Sequence, residues 1–541
     1  MAGTMQDWPL LVSRLIDHAA HRHGQREVVA MTAEGLHRSS WGQVRERAKQ
    51  VAGALEALGV GMGDRVATLA WNTHRHLECW YGISGMGAVA HTINPRLFDE
   101  QIVYIANHAE DRVLFLDPAF LPLVERLAPR FQSIRHYVLM AGRAQMPARS
   151  SLALLCYEEL LAGQSVERPW AVLPETAPAG LCYTSGTTGH PKGVQYSHRA
   201  NVLHAMAACA ADAFGLSAQT VVMPIVPMYH ANAWSVPYAA AAAGAKLVMA
   251  GPHFDPPTLH RMIVEEGVSL ALAVPTVWLG MLQHLEATGG GLGALKRTGV
   301  GGSAVPRSMI ETYEQRYGVE VVQLWGMTEM SPLGTIGLPK PEVSSMAYQE
   351  QLSYRIKQGR SPFGVEMCIV DEAGRPLPED GQAFGRLMVR GPWVVKSYFK
   401  GDGGQILDAD GWFDTGDVAT IDELGYMQIV DRAKDVIKSG GEWISSIELE
   451  NEAVGAPGVA EAAVIGVPHP KWDERPLLLV VPKQGAELSK AGILAHLEGR
   501  VARWWMPDDV LVVPELPHTA TGKLLKTELR ERYRHYRLPT V

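Results

Sequence analysis

Ten residues from Thr184 to Gly193 hold four aliphatic hydroxyls, three glycines and one lysine. Glycine lets a backbone curl until several N–H groups converge on an anion, and hydroxyls add further donors. Lys192 adds a point charge. This chemistry suits the phosphates of a nucleotide. An ordinary flexible Gly/Thr loop has no need of so many donors. A Walker A loop requires Gly directly before its Lys and Ser or Thr directly after. Here Pro191 precedes Lys192 and Gly193 follows it, so that rule fails twice. The glycine fingerprint of the dinucleotide fold is not matched either.

Six further stretches carry polar groups at definite places in the order of the chain. They are Gly301-Gly302-Ser303-Ala304-Val305-Pro306, Gln323-Leu324-Trp325-Gly326-Met327-Thr328-Glu329, and Gly411-Trp412-Phe413-Asp414-Thr415-Gly416-Asp417. Then come Asp431-Arg432-Ala433-Lys434-Asp435, Lys438-Ser439-Gly440-Gly441-Glu442-Trp443-Ile444 and Pro517-His518-Thr519-Ala520-Thr521-Gly522-Lys523. A Thr-Glu pair alone is ordinarily solvated surface or a helix start, and a Gly-Lys pair near a C-terminus is ordinarily an exposed lysine. Their weight comes from order and spacing. A carboxylate such as Asp417 only accepts hydrogen bonds and has several lone-pair sites, which suits sugar hydroxyls.

Together these stretches resemble the AMP-forming adenylating superfamily, which holds acyl-CoA ligases, carrier-loading adenylation domains and beetle luciferases. The likeness runs from about residue 10 to residue 535, without a large insertion. It implies ATP, magnesium and CoA as cofactors or co-substrates. It places Thr184, Ser185, Gly186, Thr187, Thr188, Gly189 and Lys192 on the phosphates. Gly302, Ser303 and Ala304, with Gln323, Trp325, Gly326 and Met327, fall on the adenine side. Trp325 stands where Tyr is usual, so an aromatic platform is retained. Thr328 would donate to the α-phosphate, and Glu329 with Thr184 would hold the magnesium ion. Asp417 and Arg432 would take the ribose, and Lys434 would be the pivot of a small domain. Lys438 counts toward the nucleotide. Lys523 would bridge the substrate carboxylate and the α-phosphate. Gly440, Gly441, Glu442 and Trp443 would line the CoA channel. His230 would lie beside the reacting carboxylate, with Trp234, Val274, Met327 and Trp443 walling the acyl chain.

Within the superfamily the chain is most similar to medium- and long-chain fatty-acid:CoA ligases and to methylthiopropionate:CoA ligases. The stretches that carry this likeness are His91–Leu97, Pro227–Trp234 and Lys438–Ile444. The resulting expectation is activation of an apolar carboxylate to acyl-AMP and then acyl-CoA. 3-Methylthiopropionate or an arylalkanoate are alternative acids, and a carrier protein is an alternative acceptor. A luciferase-like oxygenase shares the adenylation step. A non-enzymatic binder would be expected to lack Lys523, Glu329 or Asp417, and all three are present.

The elements that must position these residues are legible in outline. The first 180 residues alternate helix and strand, with strands at Arg65–Ala70 and Val113–Leu116 and helices at Trp41–Leu58 and Leu77–Gly87. A second round begins near Thr220, with strands at Val221–Val226, Leu247–Met249, Leu270–Ala273, Thr298–Val300 and Glu320–Leu324. Such alternation implies βαβ units and largely parallel sheets. Short strands with Gly-rich turns follow Gln358, and a mixed α+β pattern follows Asp431. The polar run Asp431–Asp435 lies between two strand-like runs and reads as a hinge. The expected class is therefore α/β. A large adenylate-forming domain spans 1–431, built from two mixed or parallel sheets plus a β-rich subdomain. A small mobile α+β domain spans 432–541, with its hinge near Lys434.

Composition fits this picture. The chain has 541 residues, 47% hydrophobic and 20% charged, which excludes a wholly disordered or coiled-coil protein. A net charge of −8 argues against non-specific nucleic-acid binding. Five scattered cysteines without a CxxC pair suggest neither a zinc site nor a disulfide framework, and fit a reducing cytoplasm. Met1–Ile16 does not read as a signal peptide, and no run of about 18 apolar residues exists. At most peripheral membrane contact and a possible homodimer complete the expectation.

Overall fold

The structure is a computed structural model that describes residues 3–540 except 185–189, 434, 441 and 519–523; for Glu442 and Trp443 it describes the backbone only. Two large sheets dominate. The seven-stranded sheet runs in the order 154–156, 136–139, 113–116, 65–69, 89–92, 178–183 and 193–197. Every neighbouring pair is parallel except the last, which is an antiparallel hairpin. The eight-stranded sheet runs 333–336, 320–326, 297–301, 270–273, 221–224, 246–249, 27–32 and 35–40. Its interior pairs are parallel and its two outer pairs antiparallel.

Strands buried on both faces must be covered by helices on both sides. The shared layer between the sheets holds Val12–His23, Trp41–Ala57, His74–Gly85, His198–Cys209 and Val236–Ala243. Their apolar faces join Val28 and Ala30 of one sheet to Val66, Phe115 and Val138 of the other in one continuous cluster. The outer faces are closed by Pro256–Glu265, Pro275–Thr288 and Arg307–Tyr317 on one sheet, and by Asp99–Ala109 on the other. Val236–Ala243, the most apolar stretch, is thus an interior helix. No helix among the described residues is long and apolar enough to cross a membrane.

Two smaller sheets follow. Strands 366–370, 384–390, 413–421 and 427–432 form an antiparallel sheet, and strands from Ile437 onward form a separate five-stranded sheet. The α/β class with a β-rich closing unit and a terminal α+β unit is thus observed. The first 180 residues feed both large sheets: the hairpin of 27–32 and 35–40 joins the eight-stranded one, with Val28 beside Leu247. Its partner lies more than two hundred residues away, and local pattern carries no information about that. The polar run 431–435 is not wholly a connector. Asp431 and Arg432 complete the strand Met427–Arg432, because their backbones pair with Val418 and Asp417.

Trp41 shows how the layers are tied. It is fully buried at the start of its helix, behind a Ser40–Gln43 capping box, and its indole N–H donates to the Ala245 carbonyl at 2.9 Å. Trp41→Ala removes that bond and a large buried ring. The expected loss is about 3–5 kcal/mol, read as a lower urea midpoint for the sheet-bearing unit.

Candidate functional site

The residues singled out in the sequence gather at the carboxyl ends of parallel strands, where open α/β sheets bind ligands. Thr184 follows the strand Pro178–Tyr183, and Val274 follows Leu270–Ala273. Gly302 follows Arg297–Gly301, and Met327, Thr328 and Glu329 follow Glu320–Gly326. His230 lies beyond Val221–Pro224.

Thr184 and Lys192 close the base of the candidate phosphate loop. The Thr184 N–H donates to the Lys192 carbonyl at 2.9 Å, and the Lys192 N–H donates to Thr184 Oγ1 at 3.1 Å. The loop is therefore a connection within an antiparallel hairpin, Tyr183 facing Gly193, and not a strand-to-helix turn. No helix N-terminus follows it directly, so its own donors must do the work there. Ser185, Gly186, Thr187, Thr188 and Gly189 lie outside the described residues. Both arms of the hairpin are rooted on the helix Asp99–Ala109. The Tyr183 hydroxyl bonds to His108 Nδ1 at 2.8 Å, and the His190 ring stacks on Tyr104 with centroids 4.4 Å apart.

A line of side chains leads from this loop to Glu329. The Lys192 ammonium lies 4.9 Å from the centre of the Tyr398 ring, and the Tyr398 hydroxyl donates to Glu329 Oε1 at 2.8 Å. Burial, and then the Glu329 charge, push the Tyr398 phenol well above its ordinary pKa, so it stays a donor. No hydrogen bond to Glu329 Oε2 is present among the described residues. Glu329 sits in the 3-10 turn Thr328–Met330, whose Thr328 carbonyl accepts from the Tyr196 hydroxyl at 2.7 Å. The Thr328 and Glu329 side chains are both buried. Among the described residues no group of three or more His, Cys, Asp or Glu could hold a metal ion. One carboxylate oxygen and the Thr184 hydroxyl nevertheless fit magnesium, a hard ion that takes few protein ligands and completes its shell with water and phosphates.

The third cluster is centred on Asp417. Trp325 Nε1 donates to its Oδ2 at 3.0 Å, and Arg432 Nε pairs with its Oδ1 at 2.8 Å. Asp417 and Arg432 are direct partners across two antiparallel strands, so the pairing register itself sets this contact. Asp417 is almost wholly buried while Arg432 is half-exposed. Gly326 has no room for a side chain: a Cβ there would lie 1.9 Å from the Pro332 carbonyl oxygen. This close approach permits the sharp hairpin that carries Thr328 and Glu329.

Gly302 has φ +94°, and a Cβ on it would meet Val274 at 3.3 Å. A Cβ on Gly301 would meet the Trp234 ring at 3.2 Å. The paired glycines thus let Trp234 and Val274 press on the candidate adenine loop, where Ser303 is exposed and Ala304 half-buried. Trp234 belongs to five consecutive residues, Ala231–Ser235, with φ between 43° and 60°. Left-handed backbone costs an L-residue roughly 1–2 kcal/mol, and five in succession persist only when packing over-determines them. Asn232 tolerates this region best, and its buried Oδ1 accepts from Cys182 Sγ at 3.4 Å. The turn is thereby fastened to the strand that leads into the phosphate loop. His230, directly before it, lines a small cavity with Thr92, Asn94, Leu97, Ile105, Tyr183, Thr184 and Tyr229.

Other expected residues are placed elsewhere. The Gln323 amide is engaged by the protein: Nε2 donates to the Arg355 carbonyl at 3.0 Å, and Oε1 accepts from Gln358 at 3.4 Å. Met327 packs with Trp325 on the core of the four-stranded sheet, whereas Trp234 packs on the core between the large sheets. Lys438 pairs with Trp443, and Ser439 with Glu442, in a short antiparallel hairpin. Gly440 has φ +60° and lies against the Trp472 ring. Lys434, Gly441, Lys523 and the side chains of Glu442 and Trp443 lie outside the described residues. Tyr196, Asn232 and Tyr398 were not anticipated from the sequence. Only Asn232, a residue that tolerates left-handed backbone, carried any local signal.

A hydroxyl- and glycine-rich hairpin connection, a buried Thr-Glu turn and a buried, Arg-paired carboxylate, set along two packed α/β sheets, are the features of an adenylate-forming enzyme. The chain matches the family described as AMP-binding enzyme over residues 16–399, and the AMP-binding enzyme C-terminal domain over 448–523. It is 51% identical over 535 residues to a 3-methylmercaptopropionyl-CoA ligase of Ruegeria lacuscaerulensis, covering 99% of each chain. It is 49% identical over 534 residues to a medium-chain-fatty-acid–CoA ligase of Ectopseudomonas oleovorans, covering 98% of each. The crystal structure of ATP-bound MatB from Rhodopseudomonas palustris superposes with a TM-score of 0.81 at 26% identity, covering 97% of this chain and 99% of that one. The chain belongs to the AMP-binding enzyme family and, within it, to the AMP-forming acyl-CoA ligases.

Gly326→Ala forces the Pro332 carbonyl away and displaces the turn that carries Glu329. The expected outcome is a fall of about 10²-fold in kcat/KM for ATP, the order that a 1 Å misplacement costs. Steady-state AMP release against ATP concentration measures it.

Proposed function

We propose that this enzyme activates a medium- or long-chain fatty acid, or a similar apolar carboxylate, in two half-reactions. In the first, a carboxylate oxygen attacks the α-phosphorus of ATP, and the bond to the bridging oxygen of pyrophosphate breaks. Acyl-AMP and pyrophosphate form. In the second, the CoA thiol loses its proton and attacks the acyl carbonyl, and AMP departs with its electron pair. A free carboxylate is a poor acyl donor because its leaving group would be oxide; adenylation supplies a good one. No nucleophilic side chain is needed, so the protein contributes position and charge.

The residues take their parts accordingly. Lys192 and the loop 184–189 bind the outgoing phosphates, and Thr328 donates to the α-phosphate. Asp417 accepts from the ribose hydroxyls beside Arg432, and Trp325 offers its face to adenine. Lys523 spans the acid and the α-phosphate. Glu329 and Thr184 would hold magnesium, which supplies Lewis-acid stabilisation of the phosphate charge. Residues 432–541 act as a mobile domain that turns about Lys434, presenting Lys523 in one step and the Gly440–Gly441 turn in the other. Lys438, Glu442 and Trp443 come with that turn.

The observation that carries the choice of acid is the cavity beside His230 and Thr184. No Lys, Arg, Asp or Glu lines it among the described residues, and Trp234 and Val274, on two separate turns, lie against Gly301 and Gly302. Such a setting offers no fixed charge to pair with a second carboxylate or with an ammonium group. 3-Methylmercaptopropionate is the second reading, favoured by 51% identity to a ligase for that acid. The same proposal places the enzyme in the cytoplasm as a homodimer, with at most peripheral membrane contact. All five cysteines are unpaired, as suits a reducing compartment.

AMP release with magnesium ATP and CoA, over acids from acetate through 3-methylmercaptopropionate and octanoate to palmitate and cinnamate, ranks the substrates by kcat/KM. Octanoate or palmitate is expected to lead; a charged or amino acid in first place overturns the assignment. In Lys523→Ala, adenylation is expected to slow by about 10²–10³-fold, the size typical of one lost stabilising group. Transfer from supplied acyl-AMP to CoA should change only a few-fold. Equal losses in both steps contradict the role given to Lys523.

A further inference from the structure

A chain of buried polar contacts crosses the expected hinge. Asp431, three residues before Lys434, is buried near the end of the strand Met427–Arg432. Its Oδ2 accepts from the Ser446 N–H at 2.9 Å and from the Ser446 hydroxyl. Ser446 opens the helix Ser446–Val454, which lies beyond Lys434. The Ser446 oxygen in turn accepts from the Lys526 ammonium. Lys526 also pairs at 2.8 Å with Glu450, one turn along the same helix, and Glu450 accepts from the Val464 N–H at 2.7 Å. Two contacts flank the chain: the Ser445 hydroxyl donates to the Val430 carbonyl at 2.6 Å, and Asp435 pairs with Arg530.

The electrostatics single out Lys526 within this cluster. Burial alone would lower its pKa, yet Glu450 and Asp431 outweigh burial and hold it above the ordinary value. Burial raises both carboxyls, Glu450 to about 7. One ammonium thus faces two buried acids, and its loss would leave them without that counter-charge. The partners lie in different bodies. Asp431 belongs to the four-stranded sheet, whereas Ser446, Glu450 and Lys526 follow Lys434. A turn about Lys434 that swings Ser446 away must break the Asp431–Ser446 contact. The contact therefore belongs to one domain arrangement only.

We propose that Lys526 is a positioning residue: anchored on Glu450, it holds Ser446 against Asp431 and so sets how the enzyme divides itself between its two half-reactions. This rests on the two-step reading above. Lys526 touches no substrate, but it lies three residues past Lys523, so one segment carries both the adenylating lysine and the latch. Losing a hydrogen bond to a charged group shifts a two-state population by about tenfold or more.

The test compares wild type, Lys526→Arg, Lys526→Met and the double variant Lys526→Met/Glu450→Gln in the full chain. The double variant removes both charges together and leaves no unpaired carboxylate at Glu450 to unfold the domain. Each protein is read twice: by hydrogen–deuterium exchange of peptides covering 445–454, and by the separate rates of adenylation and of transfer to CoA. In both Met-bearing variants, exchange at the start of that helix should quicken about tenfold, and the ratio of the two rates should change by about tenfold. Arginine should restore both. Unchanged exchange in the double variant overturns the proposal. So does an equal-factor loss in the two half-reactions accompanied by a lower melting temperature. A wild type that releases no AMP with any acid overturns the ligase reading instead, and the exchange data still decide the contact.

Discussion

The carboxylate of Asp417 is the point on which the site depends. A buried charge is tolerated only when paired and hydrogen-bonded. Here the partners come from two different places, the indole of Trp325 and the guanidinium of Arg432. Trp325 ends a strand of the eight-stranded sheet, while Arg432 ends the last strand of the four-stranded sheet, two residues before Lys434. One carboxylate therefore ties the eight-stranded sheet to the β-rich unit. Removing Arg432 would take a counter-charge from a buried carboxylate, which costs far more than the net worth of the pair.

Around that point the architecture solves a placement problem with few devices. Parallel strands end together, so residues far apart in sequence emerge side by side: Thr184, His230, Val274, Gly302 and Thr328. Where these turns must approach one another, glycine supplies the clearance. Gly326 admits the Pro332 carbonyl, and Gly301 and Gly302 admit Trp234 and Val274. Where a turn must run against its preferred handedness, as at Ala231–Ser235, burial and the Asn232–Cys182 bond hold it. The pocket is thus assembled from exceptions to regular structure, each fixed by a regular element behind it.

Much of this was legible in the sequence, for a physical reason. Chemistry that handles phosphates and sugars needs particular residue types at short range, and Thr184–Gly193, Trp325–Glu329 and Gly411–Asp417 show them directly. Strand and helix positions followed from periodicity, to within one residue for Arg65–Leu69, Trp41–Ala57 and Leu270–Ala273. What stayed hidden was long-range. Tyr398 reaches Glu329 across 69 residues and Tyr196 reaches Thr328 across 132, and neither tyrosine stands in a telling local pattern. The hairpin 27–40 finds its place only beside residues 247–249. Asp431 and Arg432 read as a polar connector because a strand end and a connector share the same composition.

The most direct measurement is the affinity of AMP for wild type and Asp417→Asn, by titration calorimetry on protein whose melting temperature is checked first. The carboxamide keeps the shape but loses the charge that pairs with Arg432 and that is proposed to accept from the ribose. The expected result is a fall in AMP affinity of about ten- to a hundredfold, the worth of hydrogen bonds to a charged group. Unchanged affinity in a folded Asp417→Asn protein would contradict a nucleotide site centred on this carboxylate.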